Sequence, residues 1–133
     1  MKQKLSIVTL GVESLKESRS FYEEVLGFTP THDTTNSVAF YDMGCMQLGL
    51  FQWEELAKDA KVESEGSGFK RFSLAHNEPS EQAVDLLFSE LKEKGVQIVK
   101  EPEKVFWGGY SGYFADPDGH LWEVAYNPFT DLT

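Results

Sequence analysis

The chain has 133 residues, of which 41% are hydrophobic and 14% aromatic, enough for one domain with a sizeable core and too apolar for a disordered chain. A formal net charge of −10 argues against nucleic acid as a partner, because such binding needs a basic footprint; it serves solubility and would attract cationic ligands. No apolar run is long enough to cross a membrane, the start carries no signal-peptide core, and the single Cys45 sits in no zinc pattern, so the expected location is cytoplasmic.

Residues 4–12 alternate as a strand, with Leu5, Ile7 and Thr9 on one face and Val8 and Leu10 on the other. Ser14 and Glu17 form a capping box that starts a helix with the apolar stripe Leu15, Phe21, Tyr22, Val25 and Leu26, and Gly27 ends it. Residues 28–32 read as a short strand and 31–37 as a polar loop. Residues 38–41 and 45–52 read as a hairpin around Asp42-Met43-Gly44, and 53–61 as a short helix. An acidic, glycine-containing linker follows at 62–68. Residues 69–76 predict another strand. Pro79-Ser80 opens a helix with the stripe Ala83, Val84, Leu87, Phe88 and Leu91, closed by Gly95. A short strand at 96–99 leads to a turn around Pro102.

The last stretch is the most informative. Asp116-Pro117-Asp118-Gly119 has the chemistry of a tight turn ending in a left-handed glycine, and it joins two strands. If Asp116 faces His120, then Tyr113 faces Glu123 and Ser111 faces Ala125. Glu123 is a carboxylate in an otherwise bulky apolar strand, where glutamate is disfavoured. It is either an exposed residue on a wet face or a ligand or acid/base group aimed into a cavity.

Self-comparison shows a repeat. Ser14 and Ser80 start the two helices, Gly27 and Gly95 end them, and Gly44 and Gly119 occupy corresponding hairpin turns. The expected fold class is α+β: a single domain of two βαβββ modules, about 1–62 and 69–127. Pairing the modules, within one chain or across a homodimer, would make a curved mixed sheet with helices outside and a concave inner face.

With these elements in place the chain resembles the vicinal oxygen chelate superfamily of glyoxalase I, bleomycin resistance proteins, thiol-transferring fosfomycin resistance enzymes and extradiol dioxygenases. The carriers are Val8-Thr9-Leu10-Gly11-Val12, Ser18-Arg19-Ser20-Phe21-Tyr22, Leu26-Gly27-Phe28 and Asp116-Pro117-Asp118-Gly119-His120-Leu121-Trp122-Glu123. Leu74-Ala75-His76-Asn77 and Phe106-Trp107-Gly108-Gly109-Tyr110 look like a glyoxalase-like bacterial subgroup. Metal enzymes of the superfamily hold a divalent ion on the inner face. Carried over by position, Glu123 matches a ligand, whereas Ile7, Leu48 and Arg71 stand where the other ligands would be. Ile and Leu have no donor atoms and Arg cannot coordinate a cation, so one carboxylate remains where three or four ligands are needed.

No cofactor is therefore expected, and a divalent metal stays open only as an alternative. Arg71 and Glu123 are expected to pair in the metal's place, since either charge alone in a closed cavity would be costly. Phe51, Trp53, Phe106, Trp107 and Tyr110 are candidate pocket aromatics, with Ile7, Thr9 and Leu48 as further ligand contacts. His32, His76 and His120 read as structural or solvent-facing. Three functions follow from the resemblance: a metal-free small-molecule-binding protein of the drug-sequestering, bleomycin-resistance kind; a glyoxalase-type lyase or isomerase; and a metal-dependent lactoylglutathione lyase, disfavoured by Ile7, Leu48 and Arg71. In the lyase or isomerase Glu123 would be general base, and Arg71 or Tyr113 would steady an enolate-like oxyanion. A subunit active only with a partner chain is a further possibility.

Overall fold

Alternating apolar residues make Ile7–Val12 a half-buried strand, β1: Leu10 and Val12 are buried while Ile7 and Thr9 are exposed. At the next turn the Ser14 hydroxyl accepts the Glu17 N–H at 3.2 Å and starts helix α1, Leu15–Ser20. The helix then widens into a π-helical turn, Phe21–Val25, in which the Leu26 N–H donates to the Phe21 carbonyl at 3.0 Å. Tyr22 is buried there in an aromatic cluster with Phe28 and Tyr41, at ring separations of 5.8 and 6.0 Å. Strands β2, Val38–Asp42, and β3, Gln47–Gln52, follow, then helix α2, Trp53–Ala60. The sheet order is β1-β3-β2, with β1 parallel and β2 antiparallel to β3.

The strand expected at 28–32 shrinks to one bridge, Pro30 to Tyr41, with the Thr31 N–H on the Phe40 carbonyl at 2.8 Å. Proline has no N–H to extend a ladder, and the Thr34 hydroxyl caps the same edge by accepting the Phe40 N–H at 2.9 Å.

The computed structural model describes residues 1–133, and the elements above form one compact unit, 1–67; residues 68–133 form a second. In the second unit β4 is Ser73–Asn77, α3 is Glu81–Glu93, β5 is Gln97–Lys104, β6 is Tyr110–Ala115 and β7 is Leu121–Tyr126. The Ser80 hydroxyl accepts the Ala83 N–H at 3.1 Å and starts α3, whose Val84, Phe88 and Leu91 are buried. The sheet runs β4-β7-β6-β5, with β4 parallel to β7 and the other pairs antiparallel. Phe114, Trp122 and Val124 fill the helix-covered face, and the Phe114 and Trp122 rings stack at 6.1 Å. Gly112 lets the layers close: a Cβ there would lie 2.7 Å from Phe88 and 2.8 Å from the Lys100 carbonyl.

Two boundaries differ from expectation. The strand predicted from residue 69 begins at Ser73, because Arg71 takes a left-handed conformation with φ +62°. The strand predicted at 96–99 runs on through Pro102 to Lys104, with register shifts after Ile98 and Lys100. A proline is tolerated there because β5 is an edge strand and bulged. No helix is long and apolar enough to cross a membrane. The molecule is α+β, with a 3-stranded and a 4-stranded mixed sheet.

Candidate functional site

The closing hairpin puts a carboxylate on the less covered face of the second sheet. Its three-residue loop is pinned by Asp116: its N–H donates to the His120 carbonyl at 3.0 Å, and its carboxylate accepts the His120 and Asp118 N–H groups at 2.8 and 3.0 Å. Gly119, at φ +79°, supplies the left-handed residue that closes the loop. This fixes Tyr113 opposite Glu123 and Ser111 opposite Ala125, as the sequence reading expected. Glu123 is half-buried, and the parallel neighbour β4 places Ala75 level with it. Burial first, then the Glu123 charge and hydrogen bonding with that carboxylate, hold the Tyr113 phenol above its ordinary pKa. The phenol thus faces the carboxylate as a hydrogen-bond donor. Lys100 is level with Tyr113 on β5, and its ammonium lies 3.1 Å from Glu103. The sequence reading missed Lys100, because the bulges that bring it into register leave no simple pattern in the chain.

Arg71 does not join this group. It is exposed, precedes β4 and forms no ion pair with Glu123; the lysine ion pairs of this unit are Lys92–Glu101 and Lys100–Glu103. The left-handed residue breaks the alternation that was to carry Arg71 onto the sheet face. Tyr110 is committed elsewhere, its hydroxyl donating to Asp85 of α3 at 2.8 Å. Trp107 lies folded over Gly109, where a Cβ would be 1.8 Å from the indole, and Phe106 is fully exposed at the same loop tip. His120 is buried beside the turn and against Phe72, with ring centroids 5.8 Å apart.

In the first unit Ile7, Thr9 and Phe51 share the less covered sheet face, and Trp53 begins α2 against Gly11. Leu48 does not share it. At 2% exposure it points into the core, level with Val8 and Tyr41. The reason is turn length. Met43 and Met46 close a two-residue loop, the Met43 N–H donating to the Met46 carbonyl at 2.8 Å, whereas Asp116 and His120 close a three-residue one. One residue fewer flips the parity, so the counterpart of Glu123 is Gly49, which lies level with Phe40 and Thr9. A Cβ at Gly49 would already be 3.2 Å from the Thr9 hydroxyl and 3.3 Å from the Phe40 ring. That position cannot carry a second carboxylate without displacing both.

Within the second unit Glu123 has no further donor level with it on β4, where Ala75 stands; within the first unit Gly49, its repeat counterpart, and Ile7 carry no donor side chain.

Glutathione transferase FosA of Serratia marcescens is 31% identical over 124 residues, covering 93% of this chain and 81% of that protein. The crystal structure of a glyoxalase-related enzyme from Fulvimarina pelagi is 33% identical with a TM-score of 0.86, over 99% of this chain and 94% of that one. Lactoylglutathione lyase from Agrobacterium tumefaciens shares the fold at 20% identity, with a TM-score of 0.74 and 96% of each chain covered. Residues 4–124 match the family as a whole, and with the repeat and the closing hairpin in place the chain belongs to the Glyoxalase/Bleomycin resistance protein/Dioxygenase superfamily.

Proposed function

We propose that this protein binds a small molecule without a resident divalent metal, using Glu123 and Tyr113 as its polar anchor. The observation that carries this reading is the donor set: one carboxylate, faced by a phenol rather than by further ligands. A carboxylate with a neutral donor beside it can accept an ammonium or amide N–H while the phenol binds a second polar atom of the same ligand. The acidic surface draws cationic molecules toward it. The same reading has the protein act in the cytoplasm as a homodimer, which light scattering after gel filtration would check.

A second reading rests on the 31% identity to a protein named glutathione transferase, which extends over 93% of this chain. There Glu123 would act as general base and Tyr113 would donate to an oxyanion, in a lyase- or transferase-type reaction on a thiol adduct.

The test is elemental mass spectrometry of the untagged protein after incubation with nickel, zinc and manganese, followed by calorimetric titration with cationic drugs and with glutathione. Substoichiometric metal and saturable drug binding that weakens in Glu123→Gln are expected. Stoichiometric metal lost in Glu123→Gln would overturn the metal-free reading. Turnover of glutathione adducts without added metal would select the second.

A further inference from the structure

The first unit carries a second polar assembly that the site above does not use. A cavity of about 390 Å³ runs along α1, and its walls include Lys16, Arg19, Ser20, Glu23, Glu24 and Asn36. That volume is in the range of small-ligand sites. Lys16, Ser20 and Glu24, at four-residue steps, form one row of this wall, and Arg19 and Glu23, joined by their ion pair, a second. Each row has its cation toward the helix N-terminus and its carboxylate toward the C-terminus.

The inner row is preorganised. The Arg19 Nε donates to Glu23 Oε1 at 2.7 Å and its Nη2 to Oε2 at 3.4 Å. The buried Tyr41 hydroxyl donates to the same Oε1 at 3.2 Å. The guanidinium is fixed through one edge, and the remaining N–H groups stay available. The outer row is open: Lys16, Ser20 and Glu24 are exposed, and neither Lys16 nor Glu24 belongs to an ion pair.

Helix stability accounts for only part of this pattern: Arg19 lies in the last turn of α1 and gains from its i,i+4 pair with Glu23, though in the weaker order, whereas Lys16 and Glu24 stand at the ends the macrodipole disfavours for their charges. The π-helical turn Phe21–Val25, a form that recurs at functional sites, carries both carboxylates. Arg19 and Glu23 neutralise each other midway, and Lys16 toward one end of the groove with Glu24 toward the other matches a molecule with the same charges reversed.

We propose that this groove binds a small zwitterion, its carboxylate on Lys16 and the free edge of Arg19 and its ammonium on Glu24. Lys16 and Glu24 are eight residues apart, in successive turns of α1 and the π-helical segment, so ligands whose charges are separated by several bonds fit better than an α-amino acid.

The experiment uses the full chain and three probes of equal length: 6-aminohexanoate, hexanoate and hexylammonium. Isothermal titration and amide chemical-shift mapping follow each. Saturable binding of 6-aminohexanoate is expected, with shifts centred on residues 15–25 and affinity about tenfold above either singly charged probe, the gain expected of one further charged contact. Lys16→Met and Glu24→Gln should each remove most of that gain, both being exposed changes that leave the fold intact, and Glu123→Gln should leave it unchanged. Equal binding of the three probes, shifts centred elsewhere, absence of saturation, or indifference to both groove substitutions would overturn the proposal. Loss in Glu123→Gln alone would assign the binding to the other sheet face and overturn it as well.

Discussion

At the scale of single residues, the phenol of Tyr113 reports on Glu123. Glu123→Gln removes the neighbouring charge but not the burial, which is the larger cause of the raised pKa. The Tyr113 pKa is therefore expected to fall part of the way to the ordinary phenol value, as followed by ring-carbon chemical shifts against pH. An unchanged value would show that the two groups do not interact. Leu48 and Ile7 test which face each side chain occupies. Leu48→Ala, at a site 2% exposed, should cost about 2–5 kcal/mol in denaturant unfolding, whereas Ile7→Ala, at 46% exposed, should cost well under that range. Similar losses at both positions would contradict the parity. The Glu123–Tyr113 pairing was legible in the chain because turn chemistry sets register locally. The face of Leu48 was not, because loop lengths of two and three residues look alike until the hydrogen bonds are seen.

At the scale of elements, the close packing of β6 under α3 depends on Gly112. Gly112→Ala should destabilise by about 1–3 kcal/mol, since the added methyl meets both the Phe88 ring and a strand carbonyl. The Tyr110–Asp85 bond ties the same two elements at the surface. It raises the Tyr110 pKa from 10.0 to about 12, chiefly through the hydrogen bond to the Asp85 carboxylate. The sign follows from proton uptake. Above pH 10 the unfolded chain loses this proton while the folded chain keeps it, so the contribution is complete below pH 10 and is lost as pH rises toward 12. Tyr110→Phe should flatten the fall of melting temperature over that window, measured by scanning calorimetry. The helices and their serine caps were readable from the apolar stripe and from Ser14 and Ser80. The length of β5 was not, since Pro102 reads as a turn and only an edge position with bulges makes it a strand residue.

For the molecule as a whole, the net charge sets a salt dependence of stability. A net −10 on 133 residues repels itself in the folded state. Raising salt from about 0.01 to about 0.15 M shortens the screening length from about 30 to about 8 Å, and the melting temperature is expected to rise. A fall would mean that attractive ion pairs such as Lys92–Glu101, at 2.7 Å, outweigh the repulsion.

Turn residues, caps and alternation were enough to predict the α+β class and the pairing of Tyr113 with Glu123, because each depends on neighbours a few residues away. The tertiary structure decided the rest. Arg71 fell out of the sheet through one left-handed residue, and Gly49, not Leu48, proved to be the counterpart of Glu123. Lys100 came level with Tyr113 through bulges, and Arg19, Glu23 and Tyr41 met from a helix and a strand. Those outcomes turn on register, backbone conformation and packing between distant segments, which tertiary structure decides.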